Sequence, residues 1–319
     1  MLAGTGRLPL GWQGVFFAPA RMANRPARRY TDGAMTDTGI ENLQVPPELG
    51  FERLSPLRRA LKRVLINPLA NYTPAFITRG LLWLTRSELA AANWKDPGGW
   101  RSMVISYDGK CRQLSDRFLV AAGTIPMALR NRRRLASHLI ARLIESTPAD
   151  PVHVLCLGAG PGLITLDALA QAKDKDTSHA TLVDLSSDAF NYGLEQANLK
   201  GLAHRVRYIQ ADVRDLEKYL DRPPHVVKMI GICEYLSDEQ ILSIARASAA
   251  LMPAASAIVV NSISKAHGTD RFFRRVFGLH LIHRNPRQIM DLLGRVGLGE
   301  FVVYPEPLGV YHVIVGRKL

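Results

Sequence analysis

The chain has 319 residues, 47% of them hydrophobic, and a formal charge of +13; its length provides one large core or two modest ones. No apolar run reaches the ~18 residues that a membrane-spanning helix needs. Three widely spaced cysteines, with no CxxC or His/Cys cluster, argue against a disulfide framework and against a metal site, so we expect a reducing, cytoplasmic setting.

The positive charge is concentrated in the first part of the chain. Up to residue 149 there are 22 Lys and Arg against 10 Asp and Glu, whereas after it there are 19 against 18. Residues 1–34 alone hold five arginines and one acid, Asp32, a balance also found in organelle transit peptides. Because Met35 opens a stretch that resembles a natural start, we interpret residues 1–34 as a disordered extension or as the result of an upstream start codon.

Residues 35–149 are predicted to form a mostly helical N-terminal cap. Leu57, Leu61, Val64 and Leu65 fall on one stripe of a helix whose other side is basic, and helical periodicity returns in "MALRNRRRLASHLIARLIES". Between these segments, "WKDPGGWRSMVISYDGK" is interrupted by proline and glycine, which predicts loops around a short extended piece.

Residues 150–319 alternate short β-rich runs with helical ones, a pattern typical of a doubly wound α/β fold. Ser187, the pair Ser237 and Gln240, and the dipeptide Asn285-Pro286 are predicted to begin helices. The last two strands are joined by only "EPLG", too short for a parallel crossover, so they are predicted to close the sheet as an antiparallel hairpin.

The most informative stretch is "VHVLCLGAGPGLITL", in which a buried strand runs into three closely spaced glycines, Gly158, Gly160 and Gly162, and then into a helix. Glycine there lets backbone approach a ligand closely. The GxGxG spacing differs from the GxGxxG of dinucleotide-binding loops. Asp184, at the end of the second strand, is placed to accept hydrogen bonds from ribose hydroxyls, and Asp212 follows the third strand.

These motifs resemble those of the class I S-adenosylmethionine-dependent methyltransferases, from Pro151 to the C terminus. The resemblance implies a Rossmann-like seven-stranded sheet and S-adenosyl-L-methionine as cofactor. In that family the glycine loop wraps the methionine and ribose, the first acid holds the ribose and the second reads the adenine; the matching positions here are Gly158, Gly160, Gly162, Asp184 and Asp212. One position departs from the family: Cys156 stands where an acid is common, two residues before the first glycine.

The methyl acceptor is expected to lie beside the end of the fourth strand, at "GICEYLSDEQ". Glu234 and Tyr235 are candidates for substrate contact there, and Gly231 for lining the cofactor. A second segment, "SKAHGTDRFFRRVFGLHLIHRNPRQ", carries His283 among arginines and aromatic residues and is predicted to form an amphipathic lid. For Glu234, Tyr235 and this segment, ordinary surface or packing roles are alternatives.

Together the two segments resemble a smaller group related to bacterial enzymes that make methyl esters of 3-hydroxy fatty acids. The expected function is methyl transfer to a small or lipid-like acceptor, with an anionic group, at a carboxylate or hydroxyl oxygen. Two alternatives remain open because of the basic first half. One is a nucleic-acid methyltransferase, with "RNRRR" tracking phosphates; the other is a non-catalytic or membrane-surface module that binds anionic lipid.

Overall fold

The computed structural model describes residues 46, 49–173 and 176–319. The predicted extension, residues 1–34, lies outside the described residues. Within the described part of the chain, no helix is both long enough and apolar enough to cross a membrane.

The N-terminal region is helical, as predicted. Its α-helices run in chain order, with π-helical turns at Lys62–Ile66 and Arg117–Ala121: α1 Pro56–Leu61, α2 Asn67–Tyr72, α3 Ala75–Leu84, α4 Glu88–Lys95, α5 Trp100–Asp108, α6 Leu114–Asp116 and α7 Thr124–Ser146. Helix α7 is the longest and buries sixteen of its residues, because it packs on the sheet as well as on the other helices.

The prediction of an extended piece near residue 104 is wrong, because these residues form helix α5. Gly99 precedes the helix with extended backbone, and Gly109 ends it in the left-handed conformation, at φ 68°. The glycines and the proline therefore mark the ends of a helix. Packing of α5 against α4 and α7 overrides the β propensity of Val104 and Ile105.

The rest of the chain forms one seven-stranded sheet in the order β3-β2-β1-β4-β5-β7-β6, in which the first five are parallel. The strands are β1 His153–Leu157, β2 His179–Asp184, β3 Val206–Gln210, β4 Val226–Met229, β5 Ala257–Ile263, β6 Leu298–Pro305 and β7 Tyr311–Lys318. The helices that follow α7 are α8 Leu163–Gln171, α9 Phe190–Leu199, α10 Asp238–Leu251, α11 Asp270–Phe272 and α12 Pro286–Gly294.

Helices cover both faces of this sheet, which makes the fold doubly wound. Val154 and Cys156 of β1 point into one core with α7, α8 and α9, while Leu155 and Leu157 point into the other with α10 and α12. Alternation of side chains along a strand produces this division. The predicted fold is confirmed, including the antiparallel pairing of β7 with β5 and β6.

Two of the predicted helix starts are capping boxes. Ser237 accepts from the backbone of Gln240, whose side chain accepts from Ser237 in return, and Asn285 and Gln288 repeat this arrangement. Ser187 does not use its side chain to cap α9, because that helix begins three residues later, at Phe190.

Candidate active site

The glycine loop connects β1 to α8, at the point where the strand order reverses and open sheets bind ligands. All three glycines have left-handed backbone, with φ of 58° at Gly158, 50° at Gly160 and 73° at Gly162. A Cβ atom at Gly158 would lie 2.1 Å from Ile232, and one at Gly162 would lie 2.1 Å from Leu182. Those two glycines are thus required by the protein's own packing.

Gly160 is different, because a Cβ there would meet only the Cβ of Trp100 within 4 Å, at 3.7 Å. Gly158 and Gly160 line the cavity above the loop, and Gly162 does not. The backbone that can approach a ligand closely is therefore that of residues 158–161.

Asp184 ends β2 and holds this loop in place. One of its carboxylate oxygens accepts from the N–H of Gly160 at 2.8 Å and the other from the N–H of Ser186 at 3.0 Å. Burial raises the pKa of this carboxyl above its usual range, and the two backbone hydrogen bonds oppose that shift. Each oxygen can accept a further bond, so Asp184 can bind a diol that enters the cavity.

Asp212 follows β3 and is half-buried, but it is not among the residues that line the cavity. The cavity is lined there by Gln210, the last residue of β3, whose side-chain amide donates to the carbonyl of Leu185 at 3.1 Å.

The cavity has a volume of about 530 Å³, within the usual size of small-molecule sites. Its floor comes from the sheet half, residues 158–161, 184–189 and 230–232, and its roof from residues 95–101 between α4 and α5. Single side chains complete the wall: Met103, Tyr107, Arg132, Gln210, Lys228 and Tyr235. The helical N-terminal region is therefore part of the site.

Lys228, on β4, is a buried cation on the cavity wall, with 4% of its surface exposed. Its ammonium nitrogen donates to the Cys156 sulfur at 3.4 Å. A thiol is a weak acceptor, and no carboxylate of the described residues lies within ion-pair distance of Lys228. Since a buried ammonium is costly without an anion, this group can bind one from a ligand.

Arg132, on α7, is a second buried cation, but it already has a partner. Its Nη1 lies 2.9 Å from a carboxylate oxygen of Glu234, its Nη2 lies 3.4 Å from the hydroxyl of Tyr107, and its guanidinium stacks on Tyr311. Asn261 donates to the other oxygen of Glu234, at 3.3 Å. Glu234 is itself buried and does not line the cavity, so the structure places it behind Arg132.

Tyr235 and Gly231 both line the cavity, and the Tyr235 hydroxyl lies against Gly98 of the roof. Burial raises the pKa of Tyr235 above its usual range, so the phenol is neutral near pH 7. Asp96, also in the roof, has a buried carboxylate oxygen with no hydrogen-bond partner, and burial raises the pKa of this carboxyl. The roof thus contributes a polar group to the cavity.

His283 lies outside the cavity lining. It stacks on His267 with 3.2 Å between their Nε2 atoms, and its Nε2 is 3.8 Å from Asp270. Burial lowers the pKa of His283 and, aided by His283, lowers that of His267 to about 4. The structure does not bring His283 together with Tyr235 or the glycine loop.

The segment predicted as a lid contributes no residue to the lining of the cavity, so the predicted lid is not observed. Arg275 donates to the carbonyl of Asn71 at 2.6 Å, and Arg274 forms an ion pair with Asp270. Arg284 is buried, bonded to Asp238 and to two backbone carbonyls. This segment attaches the N-terminal helices to the sheet half.

The basic run "RNRRR" is also committed to internal contacts. Arg130 pairs with Glu52, Arg133 with Asp167, and Arg134 donates to the carbonyl of Gly50. With Arg132 held by Glu234, the run does not present a row of free guanidinium groups for phosphates.

Sequence reasoning missed Lys228, Arg132 and Asp96. The only signal for Lys228 was a charge inside an otherwise apolar strand, "HVVKMIGI", opposite Cys156, the position that departs from the family. Arg132 and Asp96 belong to the N-terminal region. No local sequence pattern indicates that this region packs over the sheet.

Comparison with known protein families gives a match for the central part of the chain. Residues 154–254, which include the glycine loop, Asp184 and Lys228, match the methyltransferase domain family. No curated protein matches the sequence significantly.

Solved structures share the fold at low sequence identity. A possible exported protein of Bordetella parapertussis has a TM-score of 0.59 at 14% identity, over 83% of this chain and 99% of that one. Magnesium protoporphyrin IX methyltransferase of Synechocystis, solved with S-adenosylhomocysteine, has a TM-score of 0.51 at 11% identity, over 77% and 99%. A riboflavin-analogue dimethyltransferase of Streptomyces davawensis has a TM-score of 0.50 at 17% identity, over 84% and 78%.

The match of residues 154–254 to the methyltransferase domain family supports an S-adenosylmethionine-dependent methyltransferase, and the solved structures share its fold. The glycine loop fits such a cofactor, because it combines bare backbone at Gly160 with the Asp184 carboxylate, which can bind a diol.

Proposed function

We propose that the protein transfers a methyl group to an oxygen of a small or lipid-like acceptor that carries an anionic group. The observation that carries this proposal is the roofed cavity, in which residues 95–101 cover the glycine loop and leave about 530 Å³ for ligands. Room of this kind suits a small molecule or the head of an amphiphile, since a nucleic-acid helix needs an open surface.

The donor site is proposed to consist of the backbone of residues 158–161, with Asp184 on the ribose, Gly231 at the wall and Lys228 on the methionine carboxylate. Lys228 interacts with the charge of Asp184 but has no carboxylate within ion-pair distance among the described residues, and a ligand carboxylate supplies one. Asp212 stays a prediction for the adenine, and the position of Gln210 on the cavity wall makes it a second candidate for that contact.

For the acceptor, the proposal rests on Tyr235, Arg132 and Asp96. Arg132 presents its Nη2 toward Gly231, 3.4 Å from where a Cβ of that glycine would stand, and can attract an acceptor's anionic group. Glu234 is then a positioning residue that holds Arg132. Asp96 is within the roof and can accept the proton of an acceptor hydroxyl, whereas a carboxylate acceptor needs no base.

The reaction requires these residues only to position the acceptor and to exclude water. S-adenosylmethionine supplies a methyl group bonded to a sulfonium sulfur. When the methyl group is transferred, the sulfur departs as a neutral thioether and needs no acid. The chain's part is to align the acceptor oxygen and to exclude water, and the Trp100 and Tyr235 side chains, which both line the cavity, are proposed to contribute to this. The relation to methyl esters of 3-hydroxy fatty acids remains part of this proposal, as one class of acceptor with an ionised oxygen and an apolar chain.

The test is transfer of a radiolabelled methyl group. Purified protein and methyl-labelled S-adenosylmethionine are incubated together in three separate reactions. One contains a lipid extract, one a polar-metabolite extract and one total RNA, all from one bacterial culture. We expect label in methyl esters, which base hydrolyses, or in methyl ethers, which it does not, of the lipid or metabolite fraction. We expect none with the Asp184→Ala variant. Label confined to RNA would overturn the proposal.

A further inference from the structure

The helices α1 to α3 expose an unusual amount of apolar surface. Side chains between 44% and 79% exposed include Leu57, Leu61, Val64, Leu65, Ile66, Leu69, Tyr72, Phe76, Ile77, Leu81, Trp83 and Leu84, here called the outer apolar surface. Neither α1 nor α2 buries a single residue. Contiguous apolar exposure of this kind ordinarily marks an interaction site.

An ordinary surface helix turns its apolar side to the core, whereas α1 to α3 leave most of their large apolar side chains exposed to solvent. Asn71 donates to the carbonyl of Gly268 at 2.8 Å and accepts from the N–H of Phe272 at 3.0 Å. From α3, Arg79 donates to the carbonyl of Val276 at 3.0 Å. Polar side chains therefore attach α2 and α3 to the segment 268–277, where Leu82 and Ala70 also pack, while most of the large apolar side chains of the two helices remain exposed to solvent.

The charge around the outer apolar surface has one sign. From Pro56 to Ser87 the sequence has six basic residues and no acidic one. Lys62 and Arg79 bind inward, whereas Arg58, Arg59, Arg63 and Arg86 are exposed. Cations flanking leucine and aromatic side chains are the combination that binds the interface of an anionic bilayer.

Charge also argues against the other occupants. In a symmetric dimer the same surface would meet itself, and its cations would face their own copies without an acid between them. Residues 1–34 hold five arginines and one acid, so their charge has the same sign, and the three acids between residues 35 and 48 are too few to neutralise the six cations of Pro56–Ser87. We propose that the outer apolar surface docks the protein on a membrane rich in anionic phospholipid. The inference extends the proposed function, because it places the enzyme where an amphiphilic acceptor would reside.

The test is sedimentation of the full chain with vesicles, without cofactor, so that its outcome does not depend on methyl transfer. Vesicles contain phosphatidylcholine alone or with about 30% phosphatidylglycerol, and we expect at least about tenfold stronger binding to the anionic ones, weakened by salt. The triple variant Leu57→Ser, Leu61→Ser, Val64→Ser should lose this binding. Leu199→Ser, which changes a leucine 75% exposed on α9, is the matched control and should keep it.

A second set of variants tests the charge. Replacing Arg58, Arg59 and Arg63 with Gln should reduce binding to anionic vesicles to the level seen with neutral ones. Replacing the exposed Arg207, Arg246 and Arg287 of the sheet half with Gln removes the same charge elsewhere and should have little effect. Melting curves confirm that each variant is folded.

Three outcomes would overturn the proposal. They are absence of binding to either vesicle by the folded wild type, equal loss in the two arginine variants, and a dimer in light scattering that the leucine variant dissociates while vesicles bind neither form. The last result would assign the surface to a second copy of the chain.

Discussion

In β1 and β5 every residue is buried, whereas in α1 and α2 none is, although all four segments contain leucine, isoleucine or valine. In the sheet half, folding itself buries the apolar residues, and the charges nearly balance. Helices α1 and α2 keep theirs on the outside, with an excess of cations. The comparison teaches that the same residue types serve stability in one region and remain available for a partner in the other.

The two regions also divide the cavity between them. The sheet supplies the glycine loop, Asp184 and Lys228, and the helical region supplies Asp96 and Arg132. Donor binding should therefore depend on the sheet half, and acceptor binding on the contact between the two.

Within the sheet half, the largest expected effect is a loss of stability that differs between two glycines of one loop. Gly162→Ala should lower the free energy of unfolding by about 2–4 kcal/mol, because it adds a clash with Leu182 to the cost of left-handed backbone. Gly160→Ala should cost only about 1–2 kcal/mol of stability, since its Cβ meets open space, but should weaken S-adenosylhomocysteine binding. Denaturant unfolding and calorimetry measure the two; equal stability losses would show that the packing argument is wrong.

The next effect concerns Asp184. Asp184→Ala should weaken S-adenosylhomocysteine binding by about 2–3 kcal/mol, roughly 30- to 150-fold, because it removes an ionised acceptor and frees the N–H of Gly160. Calorimetric titration checks this, with Asp291→Ala, an exposed acid of α12 outside the cavity, as the control. Unchanged affinity in the folded variant would remove the ribose role.

Lys228 allows a test that distinguishes parts of one ligand. Lys228→Met should weaken S-adenosylhomocysteine binding about tenfold or more, while 5′-methylthioadenosine, which lacks the amino-acid carboxylate, should bind as it does to wild type. Lys95→Met removes a charge from the exposed rim and should affect neither ligand strongly. Equal losses for the two ligands would mean that Lys228 only supports the fold.

The smallest expected effect is a dependence on pH. Because burial raises the pKa of Asp184, protonation removes its acceptor at pH values where an exposed aspartate is still ionised. Affinity for S-adenosylhomocysteine should therefore fall as the pH is lowered, before exposed aspartates become protonated, and more steeply in wild type than in Asp184→Asn. Parallel curves for the two proteins would assign the dependence to other groups.

The sequence predicted the sheet half well, since strand length, glycine spacing and helix caps are local signals. It predicted Gly158, Gly160, Asp184 and Tyr235 at positions that line one cavity. It could not predict that Glu234 faces Arg132, because that ion pair joins residues 102 positions apart. The outward direction of Leu57 and Val64 was equally hidden, since periodicity gives the stripe but not the side on which the rest of the protein lies.

The most direct test of the account is a crystal structure of the protein with S-adenosylhomocysteine. The account predicts the ribose hydroxyls on Asp184, the homocysteine carboxylate within ion-pair distance of Lys228, and the sulfur facing the space between Tyr235 and Arg132. A ligand bound elsewhere, or one whose carboxylate lies away from Lys228 with that lysine still on Cys156, would contradict it.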